Sequence, residues 1–236
     1  MYWGDNENAA HHIELLLLGH VARRAQALPD EFTRTMHVVL HAVHSQAGGV
    51  SLTPEHIRDL ARIKAQLKIY LYKMEAEGEN VAEFSHECPH ARLIVEPKRP
   101  SVLDGVYERA YLSLSSVDSS PEEISSHLGL EPTWFRRRGE LPQTIPRPKY
   151  PPVNHLWQMD AGLDRQQDMA AHFDALHQVL VEKHELLSDF GMDYRNSIGI
   201  GSAACFDTST CITLSQSLIE RMARLGMWFD LDLYLC

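Results

Sequence analysis

Cysteine is scarce in this 236-residue chain, which holds only Cys88, Cys205, Cys211 and Cys236. Four widely scattered residues do not make the disulfide framework of a small secreted domain, so free thiols in a reducing cytosol are the expected state. Long apolar runs are missing too. The densest cluster, Ile13 to Leu18, contains Glu14 and is soon followed by Arg23 and Arg24, far short of the roughly 20 residues that cross a bilayer. The opening Met1-Tyr2-Trp3-Gly4-Asp5-Asn6-Glu7 has no basic stretch ahead of an apolar one and no small-residue cleavage site, so no signal peptide is expected. Positive charge is in deficit: the formal net charge is −10, with the acidity concentrated after residue 105. That balance disfavours nonspecific nucleic-acid binding. No internal repeat or low-complexity tract is apparent. The local signatures of the common catalytic folds are absent as well: no GxGxxG after a strand, no GxxxxGK[ST], no GxSxG and no HExxH. The expectation is a cytoplasmic protein that is not an enzyme, takes no cofactor, and binds neither nucleic acid nor membrane.

What is present is the composition of a folded globular protein, 44% apolar and 23% charged. The length allows one large domain or two ordinary ones. Up to residue 82 the spacing predicts a helical bundle. The first helix, roughly residues 9–27, carries Ile13, Leu16, Leu17 and Val21. The second, 29–45, has Phe32, Met36, Val39, Leu40 and Val43 on one face. A third opens at Thr53-Pro54-Glu55, a hydroxyl cap followed by proline and an acid facing the helix dipole, and runs through Ile57, Leu60, Leu67, Leu71 and Met74. Residues 83–105, with Pro89, Pro97 and Pro100, read as a linker.

Residues 106–236 predict an α+β domain: an α/β sandwich, possibly ferredoxin-like, that follows the three-helix module. Tyr107 to Ser115 alternates like a half-buried strand. Ser120-Pro121-Glu122-Glu123 is a capping box whose helix stops at Gly129. Residues 131–152 hold six of the twelve prolines, which predicts an irregular loop. His155 to Asp160 is a strand and Asp164 to Phe190 a long helix. Ser197 to Phe206 and Cys211 to Leu214 read as a hairpin, Ser217-Leu-Ile-Glu220 as the cap of a last helix, and Met227 to Leu235 as a closing strand.

Several constellations carry potential chemistry. His37, His41 and His44 fall at i, i+4 and i+7 of the second predicted helix, with His11, His12 and His20 on the first. Histidines at i, i+4 can chelate zinc. No acid completes the set, so helix-face histidines are the expected reading, and a metal-dependent enzyme or metal sensor is the alternative function. His86, Cys88 and His90 lack the second ligand pair of a specific zinc motif. Cys205 and Cys211 flank a predicted turn and could face each other; small buried apolar groups are the expectation. Trp134-Phe-Arg136-Arg137-Arg138-Gly139 is the one concentrated basic patch. Asp160, Asp164 and Asp168, with Asp174 beyond, surround the start of the long helix, where they oppose its dipole and can also meet a basic partner. Trp134, Arg136, Arg137, Arg138, Asp160, Asp164 and Asp168 are the candidate partner-binding residues, and no catalytic or metal-binding residue is nominated.

The order of these features resembles the bacterial domain of unknown function family 4279 over about residues 106–236. The likeness rests on Leu112-Ser-Leu-Ser115, Ser120-Pro-Glu-Glu-Ile124, Leu128-Gly-Leu-Glu-Pro132, Gly139, the Trp157 strand, Leu214-Ser-Gln-Ser-Leu218 and Leu231-Asp-Leu-Tyr234. The family offers no established catalytic residues to carry over. Its members are similar in size and character to the immunity proteins of bacterial toxin systems. The resemblance therefore implies a cytosolic protein that binds and neutralises a cognate toxin domain.

Overall fold

The computed structural model describes residues 34–43, 48–74, 107–140, 152–165, 167–206 and 210–235. Where the spacing predicts the second helix, the backbone is extended: β1 spans Arg34–Val43, followed by β2, Gly48–Leu52. The third predicted helix is real only as α1, Pro54–Arg62, capped by Thr53 with His56 completing the box. It stops at Ile63 and Lys64, and the rest of the segment is β3, Ala65–Met74. Leu67, Ile69 and Leu71 alternate with Gln66, Lys68 and Tyr70, and that period of two overrides the helical spacing. The described part of residues 1–82 is therefore β-β-α-β and not a helical bundle. The expected first helix and the 83–105 linker lie outside the described residues.

The C-terminal elements follow the predicted order more closely. They are β4 (Tyr107–Ser116), α2 (Pro121–Leu128), β5 (Trp134–Arg136), β6 (His155–Asp160), α3 (Met169–Glu182), α4 (His184–Gly191), β7 (Asn196–Phe206), β8 (Thr210–Leu214), α5 (Gln216–Arg224) and β9 (Trp228–Leu235). The capping box at Ser120 forms, and Gly129 ends α2 in the left-handed conformation. Three predictions need correction. The proline-rich loop contains the short strand β5, the long helix is broken at Lys183 into α3 and α4, and α5 is capped by Ser215 and not by Ser217.

The strands form two sheets, ordered β1-β3-β8 and β2-β9-β7-β4-β6-β5. β7 and β8 are thus no hairpin, because they belong to different sheets. In the larger sheet one face is apolar: Leu52, Ala110, Leu112, Leu114, Trp157, Ile198, Ile200, Phe229 and Leu231 are all buried. The helices cover that face, and the buried residues of both sheets join one hydrophobic core. Each such leucine, isoleucine or phenylalanine side chain removed from water contributes about 1.5–3 kcal/mol.

The topology contains a duplication that composition did not reveal. β1-β2-α1-β3 and β7-β8-α5-β9 are the same unit. In each, the first and last strands run parallel, β1 with β3 and β7 with β9. The second strand of each unit pairs antiparallel with the last strand of the other. Leu52 faces Phe229 and Val50 faces Leu231; Leu214 faces Leu67 and Ile212 faces Ile69. α1 packs on α5. At one constant spacing the sequences agree as well, with Leu52 matching Leu214, Ile57 Ile219, Ala61 Ala223, Arg62 Arg224 and Tyr72 Tyr234. The two units thus interlock by exchanging strands about a local two-fold relationship. β2 belongs to the sheet of the C-terminal residues, and β8 to that of the N-terminal ones.

Candidate functional site

β5 is the terminal strand of the six-stranded sheet, held on one side by β6 through Trp134↔Gln158, Phe135↔Trp157 and Arg136↔Leu156. The alternation of a strand sends Trp134 and Phe135 to opposite faces. Both stay open to solvent, at 47% and 41% exposure. Phe135 lies beside α2 and lines a shallow groove with Pro121, Glu122, Ser125, Ser126, Gly129, Glu131 and Pro132. The groove exists because α2 lies across β6, where Trp157 is fully buried and donates its indole N–H to Ser125 Oγ at 3.0 Å.

The three arginines do not form a free cationic claw. Arg137 pairs with Glu122 across the groove, and its guanidinium sits 4.9 Å from the centre of the Phe135 ring. Arg138 donates to the Val117 carbonyl at 3.2 Å, and its backbone N–H to His155 Nδ1 at 3.1 Å. Arg136 is half-buried, and its Nε finds no hydrogen-bond partner. What the loop presents is therefore two exposed aromatics, of which Phe135 is covered on one side by the Arg137 guanidinium. Glu122 is held below the ordinary carboxylate range, first by the backbone N–H at the start of α2 and then by Arg137.

The acidic set is only partly brought to this place. Asp160 ends β6 and donates its backbone N–H to the Thr133 hydroxyl oxygen at 3.0 Å, so it stands next to the start of β5. Asp168 is the N-cap of α3 and accepts from the Ala171 N–H at 2.8 Å, a structural role. Asp164 lies in the connection between them, which is anchored where the Arg165 carbonyl accepts the Glu108 N–H at 2.9 Å. Sequence reasoning missed Phe135 and Glu122 as parts of the site. Glu122, an acid in the first turn of α2, and the aromatic of the basic patch carry no signal of their meeting until β5 pairs with β6.

The histidine ladder loses its basis. His37 and His41 lie on β1, where four residues span about 13 Å, too far for one ion. His37 stacks on Tyr70 with ring centres 5.3 Å apart. His11, His12, His20, His44, His86, Cys88 and His90 lie outside the described residues. No cluster of three or more metal-ligating side chains occurs among the described residues. Cys205 is disulfide-bonded, against the expectation of four free thiols, while Cys211 is free and exposed. The two therefore do not pair with each other.

The open face of the six-stranded sheet is polar. The Trp228 and Tyr111 rings lie directly over Gly199 and Gly201, beside Arg109, whose guanidinium is 4.9 Å from the Tyr111 ring centre. Ser51 donates to Asp230. Burial pushes Asp232 up to about 6, with Asp230 adding to the rise and Arg109 opposing it. Glu108, where β4 meets the start of α3, is also raised, chiefly by burial.

No helix among the described residues is long and apolar enough to cross a membrane. A family model described as Domain of unknown function (DUF4279) matches residues 106–236. No curated protein and no solved structure matches the chain.

Proposed function

On the premise that the chain belongs to the DUF4279 family, to which the match over residues 106–236 assigns it, we propose that it is a protein-binding protein that neutralises a bacterial toxin domain in the cytosol. The observation that carries the binding role is the exposed aromatic pair, Trp134 and Phe135, on the terminal strand of a sheet. A terminal strand offers unpaired backbone groups to an incoming segment, and side chains on its two faces select what joins. Trp and Arg are among the residues that most often dominate binding energy. The adjoining Asp160, and Asp164 further along, supply negative charge that speeds encounter with a basic partner. The toxin as partner rests on the likeness of the family to immunity proteins and on the missing catalytic signatures.

The test is co-purification of the full chain with the toxin encoded beside it, followed by an activity assay of that toxin. A stoichiometric complex in which toxin activity is lost supports the reading. A toxin that stays active and elutes apart from an equimolar amount of the chain removes it. Comparing intact masses with and without reductant, on protein rapidly alkylated inside the cells, checks the cytosolic placement: a Cys205 found as a free thiol supports it, and a Cys205 found in its disulfide removes it.

A further inference from the structure

The duplicated unit shows which neighbour a strand is built to have. β7 lies between β9 and β4, and β4 pairs with it antiparallel from Tyr107↔Cys205 to Ser116↔Asn196. β1 is its counterpart, lying beside β3 as β7 lies beside β9, yet among the described residues nothing occupies its other side. The side chains record the difference. Met36 faces Leu67 as Ile200 faces Phe229, so the two are equivalent. Ile200 is fully buried, with Leu112 of β4 directly across from it. Met36 reaches the same core but stays only partly buried, and so does Val38.

The edge itself carries none of the devices that keep strands apart. The segment Arg-Thr-Met-His-Val-Val-Leu-His-Ala-Val has no proline, lysine or acid, and its only permanent charge is at its first residue. Such an edge is a template for another strand.

We infer that the outer edge of β1 is a docking site for β1 of a second copy of this chain, paired antiparallel about a two-fold axis near Val38. β1 offers the alternation that a neighbour at this edge requires: Met36 and Val38 on the core side, Thr35 and His37 on the other. β4 offers β7 the same pattern, with Ala110 and Leu112 on the core side and Arg109 and Tyr111 on the other. An antiparallel pair sets residues of like parity opposite one another, so two copies of β1 match apolar row to apolar row. The contact is isologous and closes at two subunits. It joins two three-stranded sheets into one of six strands, the width of the other sheet. The site is distinct from the β5 edge, so toxin binding and self-association stand or fall separately.

The experiment is the molar mass of the full chain by light scattering from about 1 to 100 µM, the range of a weak to moderate self-association, with amide hydrogen exchange read across β1. A concentration-dependent dimer is expected, with exchange in residues 34–43 slowing as the dimer fills. Val38→Lys is expected to return the chain to a monomer. The exchange measurement on the unaltered chain stands even if that variant folds poorly. A monomer at every concentration overturns the inference, as does a dimer whose formation leaves exchange in β1 unchanged. A monomer that instead takes up an extended segment of a different protein at β1 overturns the choice of occupant.

Discussion

Lys64 and Gly226 hold the same position in the two copies of the β-β-α-β unit, and both are left-handed, with φ of 52° and 62°. Each closes the turn between a helix and the strand that returns beneath it. Glycine adopts that conformation freely, whereas a side chain clashes with its own backbone and costs about 1 kcal/mol.

Exchange at this pair is therefore directional. Gly226→Ala is expected to destabilise the protein by about 1 kcal/mol although nothing crowds the added carbon. Lys64→Gly is expected to stabilise it by up to about 0.5 kcal/mol, because relief of strain is partly offset by the greater freedom of the unfolded chain. Urea midpoints of the two variants check the opposite signs. A stabilised Gly226→Ala would contradict the equivalence of the turns.

Gly199 and Gly201 are the floor on which two aromatic rings lie. A Cβ at Gly199 would fall 2.1 Å from the Trp228 ring, and one at Gly201 2.4 Å from the Tyr111 ring. Neither distance is tolerable, so the rings must lift from the sheet. Gly199→Ala is expected to cost about 1–3 kcal/mol, the usual range for overpacking, and to shift tryptophan fluorescence toward the solvent-exposed maximum. Unchanged emission and stability would mean that Trp228 does not lie over β7.

Asp232 makes stability depend on pH in the less common direction for an acid. Its folded value of about 6 lies above the ordinary 3.8, so between those values the folded state holds the proton more tightly than the unfolded one. This group's contribution to stability is therefore greatest below about pH 4, falls as pH rises through 6, and is flat above that. Asp232→Asn is expected to raise the urea midpoint at pH 7 and to flatten the change between pH 4 and 6. A variant as pH-dependent as the parent would place the titration elsewhere, with half-buried Glu108 the next group to examine.

At the β5 edge the aromatics are expected to outweigh the charges. Trp134→Ala and Phe135→Ala should each weaken toxin binding by about 2 kcal/mol, roughly thirtyfold. Arg137→Ala should cost less than that, since its guanidinium is already occupied by Glu122 and Phe135. Asp164→Ala should mainly lower the salt sensitivity of the on-rate. Calorimetric titration with thermal melts as a folding control decides this. Parental affinity in both aromatic variants would move the interface away from β5.

Local chemistry was legible from the residues alone. The hydroxyl caps at Thr53 and Ser120, the stop at Gly129 and the alternation of Tyr107 to Ser115 act within a few residues of themselves, and the structure bears each of them out. The β5 edge was legible only in part: Trp134 stood out as a large aromatic in a charged loop, but its pairing with β6 and the groove beside Phe135 did not. For the duplication, shared residues such as Ile57 and Ile219 are ordinary core types, while the open-face positions diverge, Lys68 and Tyr70 standing where Asp230 and Asp232 do. β1 and β3 were misread because Met36, Val39, Leu40 and Val43 satisfy a helical spacing, while Met36, Val38 and Leu40 satisfy a strand's equally well. Only a neighbour breaks that tie. β1 needs β3, β3 needs β8, and β8 comes from the far end of the chain. A helix satisfies its backbone within itself, so its ends are written locally. A strand is satisfied by residues elsewhere in the chain, so β1, β3 and the sheet that β8 joins were decided only when the two copies interlocked.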